Sequence, residues 1–378
     1  MRWTDELLDQ KRQRGDGLAD RVVAQLFEEG DIAAVNALMS TLVRNDGLPS
    51  DKLPPIVLDY LAQTSAIPIK DMNKVRQGEA LFGTYGPEML MSLGFYSLPA
   101  SYAASKGVQV LYRTAYLLDR PVRRVFETTQ MVIDVMAGDG LDPTGRGIRT
   151  AQKVRLMHAA IRHMTENDTQ QPWDRAKLGV PINQEDLAGT LMTFSLLVIE
   201  GMERLKIKPS LEEQEAYLHV WQVMGPILGI DDDLIPANMD EASQLTAIIR
   251  RRQIASSPEG VKMTAALIDG MQTLMPSLTP GLASSMVHYF LDNDPFQHQN
   301  VAKLLEVPKA NWTTLLVHLI SDVSGLVGWF GEGSKDAAGV IRFFSRPFVM
   351  ALLDVERGGN RAKFYIPEHL QRQWEVVQ

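Results

Sequence analysis

Apolar residues recur at three- and four-residue spacings along most of this chain, and period-two alternation is nearly absent. That pattern predicts an all-α protein. Two short amphipathic patterns occupy 17–43 and break near Gly30-Asp31, where Asp31 is placed to cap the second. GLPSDKLPPIV (47–57) reads as a Pro-rich connection. Asp71 to Leu118 reads as helical pieces separated by Gly-Thr-Tyr-Gly (83–86) and Leu-Pro-Ala (98–100). Pro121 suits the first turn of a helix running to about Ala137. The loop GDGLDPTGRG (138–147) follows, and a helix carrying His158 begins where it ends. Asn183 to Leu205 is long and apolar, a stretch buried on most sides. Leu211–Leu228, opened by Pro209-Ser210, and the patterns at 240–253, 258–275, 280–291, 300–305 and 311–330 give further helices.

No internal repeat or low-complexity linker interrupts the chain. Its character is continuous from about 70 to 255, which suggests a core over 70–255, an N-terminal helical extension over 1–69 and a C-terminal helical layer over 256–378. At 378 residues, 45% hydrophobic and 22% charged, the composition is that of an ordinary globular protein. The net charge of −8 argues against a general nucleic-acid binder, which needs a basic footprint. The first residues, MRWTDELLDQKRQRGDGLADRVV, carry charges throughout and no apolar signal region, so the expected location is the cytoplasm. The most apolar run, Trp312 to Phe330, is interrupted by His318 and Asp322 and reads as an amphipathic helix. Arg342 to Leu353 mixes basic and aromatic residues in a way that suits a membrane surface, although packing of a C-terminal helix onto the core is the simpler account.

There is no cysteine, which removes disulfides, iron–sulfur clusters, thiolate nucleophiles and covalent haem attachment. Any metal must be held by His, Asp, Glu or Tyr. The seven histidines contain no His-Glu-x-x-His pair. In Arg155-Leu-Met-His158-Ala-Ala-Ile-Arg162 the helical spacing puts Arg155, His158 and Arg162 along one stripe that runs back to Ala151. An imidazole between two guanidiniums suits a metal-binding ring flanked by anion-binding cations, as for an iron porphyrin and its propionates. A solvated cationic helix face is the alternative. One helix earlier, Arg124 and Thr128 share a face at i,i+4 with Glu127 beside them, so they either line a pocket that binds a propionate or orients dioxygen, or form an exposed Arg–Glu pair at a helix start.

Three other chemistries fit less well. Glu200, Glu203, Glu215 and His219 are di-iron ligand types, but the paired Glu-x-x-His motifs of such bundles are missing. Asp231-Asp232-Asp233 lacks the spacing of a magnesium-diphosphate site and reads as a helix end and cap. Gly331-Glu-Gly-Ser-Lys335 has the wrong order for a phosphate loop.

Arg155-x-x-His158-x-x-x-Arg162, preceded by Arg124-x-x-Glu127-Thr128, resembles the haem-binding core of the latex-clearing proteins (rubber oxygenases) and the related MpaB-type oxygenases. The likeness extends through Gly-Val-Pro-Ile-Asn-Gln-Glu-Asp-Leu-Ala-Gly-Thr (179–190) and Tyr-Leu-His-Val-Trp-Gln-Val-Met-Gly-Pro-Ile-Leu-Gly (217–229). The resemblance implies a globin-reminiscent, multi-helix all-α fold around a non-covalent haem b. His158 matches the iron ligand, Arg155 and Arg162 match its flanking arginines, and Arg124 and Thr128 match distal-side residues. It also implies oxygen chemistry, the oxidative cleavage of carbon–carbon double bonds in polyisoprene or in an isoprenoid side chain, with dioxygen as partner; a Glu near iron, such as Glu127, also suits peroxide.

Three departures qualify that picture. Glu127 stands where rubber oxygenases carry a distal lysine. Residues 92–117 contain no Asp or Glu to match the family's catalytic glutamate. Rubber oxygenases are usually secreted, whereas this chain shows no export signal, which points to a small hydrophobic alkene or isoprenoid-like substrate rather than solid rubber. Whether Arg155 and Arg162 pair with propionates or buttress their helix is not separable from spacing. A haem module for sensing or transfer, closed by a second histidine (His163 or His219), is the reading from another class.

Overall fold

Helix starts along the chain are set by short polar side chains that take up otherwise unpaired backbone N–H groups. Thr4 accepts from the Leu7 amide, Asp71 from Lys74, Asn183 from Asp186 and Asn238 from Glu241, while Ser210 and Glu213 form a reciprocal capping box. The computed structural model describes residues 2–28, 53–114, 121–143, 145–274, 281–292, 300–309 and 349, without the side chains of 121–124 and 274. Over these residues the protein is all-α, with one isolated bridge between Ala104 and Ile254.

The helices are α1 (Asp5–Arg12), α2 (Gly17–Glu28), α3 (Pro55–Ser65), α4 (Met72–Ser92), α5 (Leu98–Tyr102), α6 (Val108–Arg113), α7 (Pro121–Met136) and α8 (Arg146–Glu166). They continue as α9 (Arg175–Leu178), α10 (Gln184–Phe194), α11 (Leu196–Arg204), α12 (Leu211–Ile227), α13 (Met239–Gln253), α14 (Pro258–Leu274), α15 (Leu282–Asp292) and α16 (Val301–Leu304). Two sequence expectations change in detail. The Gly83–Gly86 stretch bends α4 rather than ending it, with Tyr85 off helical geometry just before Pro87, and a π-helical turn (Leu93–Ser97) joins α4 to α5. The apolar stretch from Asn183 divides at Ser195, whose hydroxyl bonds back to the Leu191 carbonyl. The expected second pattern of 17–43, the helix at 311–330, Gly331–Lys335 and most of Arg342–Leu353 lie outside the described residues.

The main core is built on α4 and α12, with Trp221, Tyr217, Tyr96, Phe82, Met89 and Phe290 fully enclosed. Gly78 permits that contact, since a Cβ there would lie 2.5 Å from the Ala216 carbonyl oxygen. The N-terminal helix is part of this core, because Trp3 and Leu8 are buried in it. Its charges are matched to the body of the protein: Lys11 meets Asp231 and Asp233, Arg12 meets Glu185 and Asp186, and Asp5 and Asp9 meet Arg252. A second, smaller apolar cluster forms where α2 and α3 cover Leu156, Ala159 and Ala160 of α8.

Candidate functional site

Helix α8 presents two unlike faces. On one, Ala151, Arg155, Leu156, Ala159, Ala160 and Arg162 are buried. On the other, Thr150, Val154, Met157, His158 and Ile161 are only half-buried, and apolar side chains flank the imidazole. At about 100° per residue, Arg155 and Arg162 sit almost above one another, roughly 50° around the helix from His158. His158 therefore stands at the boundary between a packed face and an accessible one. Its Nδ1 is buried.

Helix α7 is fixed to the start of α8 by a buried carboxylate. Asp134 accepts from Gln130 Nε2 (2.8 Å) and Thr150 Oγ1 (2.9 Å), and pairs with Arg146 (3.2 Å). Burial pushes the Asp134 carboxyl upward, opposed by Arg146, Thr150 and Gln130. Counting back along α7 from this contact, antiparallel to α8, brings Phe126, Glu127 and Thr128 to about the level of His158. Glu127 is exposed, and Phe126 and Thr128 are half-buried. The Arg124 side chain lies outside the described residues, although its backbone is part of α7.

The two arginines flanking His158 are engaged with the N-terminal segment. Arg155 grips Asp16 with two parallel bonds, Nε to Oδ2 (2.5 Å) and Nη2 to Oδ1 (2.8 Å). Its Nη1 donates to the Pro226 and Ile227 carbonyls at the end of α12. Burial works against the Arg155 charge, but Asp16 outweighs it and holds its pKa above the ordinary value. Arg162 donates from Nε to Asp20 (2.7 Å) and from Nη1 to the Ile182 carbonyl (2.8 Å). Burial pushes the Asp20 carboxyl upward, with Arg162 opposing it. Of the two roles left open by spacing, these are the contacts of a buttress.

The carboxylates on the other side of these bridges had no signal in the sequence beyond a helix start. Asp16 also accepts from the Leu18 and Ala19 amides, capping α2, while Asp20 accepts from the Asp16 amide. Gln184 completes the junction by donating to the Gly15 and Gly229 carbonyls and accepting from the Asp231 amide. Gly229 has φ +84°, and a Cβ there would run into Asp16 and lie 2.7 Å from Arg155 Nε, so only glycine fits. An open depression of about 540 Å³ lies over this junction, lined by Arg14, Gly15, Asp16 and Asp231 among others. It sits on the arginine side of α8, away from the apolar face beside His158.

The competing constellations do not assemble. Glu200 accepts from Tyr96 (2.7 Å) and is paired with Arg250 (2.7 Å). Glu215 accepts the Met239 amide, and both His219 ring nitrogens are engaged, with Gln222 (2.9 Å) and the Lys70 carbonyl (2.8 Å). His163 stacks on Phe27 at 4.4 Å, on the α2 side of α8. Asp231 follows the end of α12 and precedes a short 3-10 turn (Asp232–Leu234) but makes no side-chain cap: its carboxylate takes Lys11 instead, and Asn238 caps the next α-helix. Among the described residues no three His, Asp or Glu side chains converge as a metal-binding group. Nor, among them, is any helix long and apolar enough to cross a membrane.

Comparison with known proteins decides the family. Residues 77–319 match the model of the ER-bound oxygenase mpaB/B'/rubber oxygenase catalytic domain. The chain belongs to this family. It is 29% identical to the rubber oxygenase of Streptomyces sp. (strain K30) over 283 residues, 74% of this chain and 69% of that protein. It also resembles the structure of latex clearing protein in the closed state, with a TM-score of 0.74 and 25% identity over 94% of this chain and 95% of the other. The matched region contains α7, α8 and the hub at Asn183–Asp186, so the motifs that suggested an oxygenase fall inside it. Asp16 and Asp20 fall outside it.

Proposed function

We propose that this chain is a b-type haem-dependent oxygenase that acts on a small hydrophobic alkene or isoprenoid-like substrate by oxidative cleavage of a carbon–carbon double bond. The observation that carries this reading is His158. It is an imidazole on a half-buried, largely apolar helix face, within the region that matches an oxygenase catalytic domain. A single imidazole with no convergent cluster of further ligand side chains among the described residues suits an iron that a macrocycle would otherwise hold. Val154, Met157 and Ile161 offer the apolar wall that a flat ring system needs.

His158 would hold such a haem through Nε2, with the buried Nδ1 turned to the protein. When bound, the haem supplies the iron at which dioxygen or peroxide is activated. The chain's own residues then have separate tasks. Arg155 and Arg162 fix the rotation and height of α8, and so the aim of the imidazole. Glu127 and Thr128 lie on α7 at about the level of His158 and, with Arg124 of the same helix, orient the oxidant. The Glu127 carboxylate takes up and returns a proton, in place of the family's missing glutamate. The bound substrate excludes water from the apolar wall.

A haem-binding protein without turnover, for sensing or transfer, is the reading from another class, and a second histidine closing the site would favour it. His163, stacked on Phe27, and His219, bonded through both nitrogens, are committed elsewhere. That favours a site left open to an oxidant, and hence turnover.

The test begins with the absorption spectrum of the purified protein, as isolated and after dithionite, with a pyridine haemochrome assay. A Soret band and b-type haemochrome peaks near one haem per chain are expected. No Soret band, even after haem is supplied, would remove the reading. His158→Ala is expected to purify folded and without haem, and full haem content in that variant would overturn the ligand assignment. Carbonyl products from an alkene panel, carrying both atoms of labelled dioxygen, would establish the cleavage.

A further inference from the structure

Two carboxylates from the N-terminal segment neutralise the two guanidiniums that bracket His158, one a turn before it and one a turn after it. All four charges are withdrawn from water to some degree. Asp16, Arg155 and Arg162 are buried, and the Asp20 side chain is 36% exposed. In such surroundings charge pairs act at higher strength than at a surface. Both carboxylates sit on one rigid unit, because Asp16 caps α2 and Asp20 caps back onto the Asp16 amide. Arg155 extends the same unit to the end of α12. The packed face of α8 is thereby held at two points about two turns apart, and the imidazole projects from between them.

We infer that Asp16 and Asp20 are positioning residues for the iron-binding imidazole: through Arg155 and Arg162 they fix the orientation of His158 and cancel two positive charges beside the metal. This rests on the haem reading above. It adds that the electronic state of the iron is set by a segment of the chain outside the region matched by the oxygenase domain. Removal of either carboxylate leaves an uncompensated guanidinium near the iron, which favours the less positive ferrous state.

The side chains permit a clean test. Asn caps a helix as well as Asp does, so Asp16→Asn keeps the α2 cap through Oδ1 while losing the charge and one of the two bonds from Arg155, whose N–H then faces an amide donor. Haem-loaded wild type, Asp16→Asn and Asp20→Asn are compared with Asp9→Asn, a carboxylate of the same segment that pairs with Arg252 on α13 instead. The readouts are the ferric/ferrous midpoint potential and the iron–imidazole stretching band of the ferrous protein. An upward shift of the potential and a displaced stretching band are expected in Asp16→Asn and Asp20→Asn, with Asp9→Asn matching wild type. If Asp16→Asn does not fold, Asp20→Asn decides, since its partly exposed carboxylate tolerates neutralisation better. Potentials and bands equal to those of Asp9→Asn would overturn the inference while leaving the haem reading intact. A wild-type protein that takes up no haem would overturn both, and the spectrum separates that outcome before any variant is made.

Discussion

The two faces of α8 are solved by different physics. On the Arg155–Arg162 face each buried guanidinium has a carboxylate and a backbone carbonyl of its own. On the face that begins at His158 and runs from about a quarter-turn to nearly a half-turn away, the side chains are half-buried and mostly apolar. The difference teaches where this helix spends its stability. The charged face is pinned to α2 and α12 so that the other face can stay incompletely packed, and an incompletely packed apolar face with a nitrogen donor at its edge is what a ligand needs.

Loss of the pinned face should cost most. Arg155→Met removes one partner of a buried pair and leaves Asp16 charged and enclosed, which costs about 3–5 kcal/mol in comparable cases. Denaturant unfolding of the haem-free protein should show that loss, whereas His158→Ala in the same assay should stay close to wild type because its face is only half-packed. Equal destabilisation by the two variants would erase the distinction between the faces.

The helix and its candidate ligand were legible because their signal is local. Arg155, His158 and Arg162 lie within two turns, and a stripe at that spacing is visible in any sequence. Their partners were not, because Asp16 lies 139 residues from Arg155 and Asp20 lies 142 from Arg162. In the sequence, Gly15-Asp16-Gly17 reads only as the start of a helix, since a capping aspartate and an aspartate that also meets a distant arginine look identical. The motif Asn183-Gln-Glu-Asp186 carried resemblance but no visible task. In the fold it is a junction, with Asn183 capping α10, Gln184 tying two loops together, and Glu185 and Asp186 receiving Arg12. The break at Ser195 was illegible for the opposite reason: apolarity on all sides marks burial but carries no information on where a helix bends.

A smaller effect is expected where the charge matching is incomplete. Glu79 of α4 is buried, with one oxygen paired to Arg76 (2.8 Å) and the other, Oε1, without a hydrogen-bond partner among the described residues. Arg76 also holds the loop before α8, through Asp142 (2.8 Å) and the Gly138 carbonyl. Burial pushes the Glu79 carboxyl up to about 7, against the pull of Arg76. The folded value lies above the unfolded one, so the folded state holds this proton more tightly. Stability contributed by Glu79 is therefore present at low pH and falls as pH rises from about 4.5 to about 7. A rise of that size corresponds to a loss on the order of 3 kcal/mol at most. Glu79→Gln should flatten that part of the stability–pH curve and unfold later than wild type at pH 8. An unchanged slope would show that the Arg76 pair already compensates the buried charge.

The smallest effect on stability and the sharpest on chemistry should come from Glu127. It is exposed on α7, at about the level of His158, and does not belong to the packed face of α8. Substitution of an exposed helix residue by its isostere changes stability little. Glu127→Gln should accordingly keep the wild-type melting temperature and haem content, while lowering turnover with peroxide or dioxygen because the amide cannot carry a proton between oxygens. A pH–rate profile adds the discriminating readout. If Glu127 is the proton carrier, the limb due to a carboxylate should vanish in the variant, and Glu127→Asp should restore part of the rate. Unaltered turnover across the pH range would remove Glu127 from the reaction and leave Arg124 and Thr128 as the α7 candidates for orienting the oxidant. The accessible face would then differ from the pinned one in supplying only an iron ligand and an apolar wall.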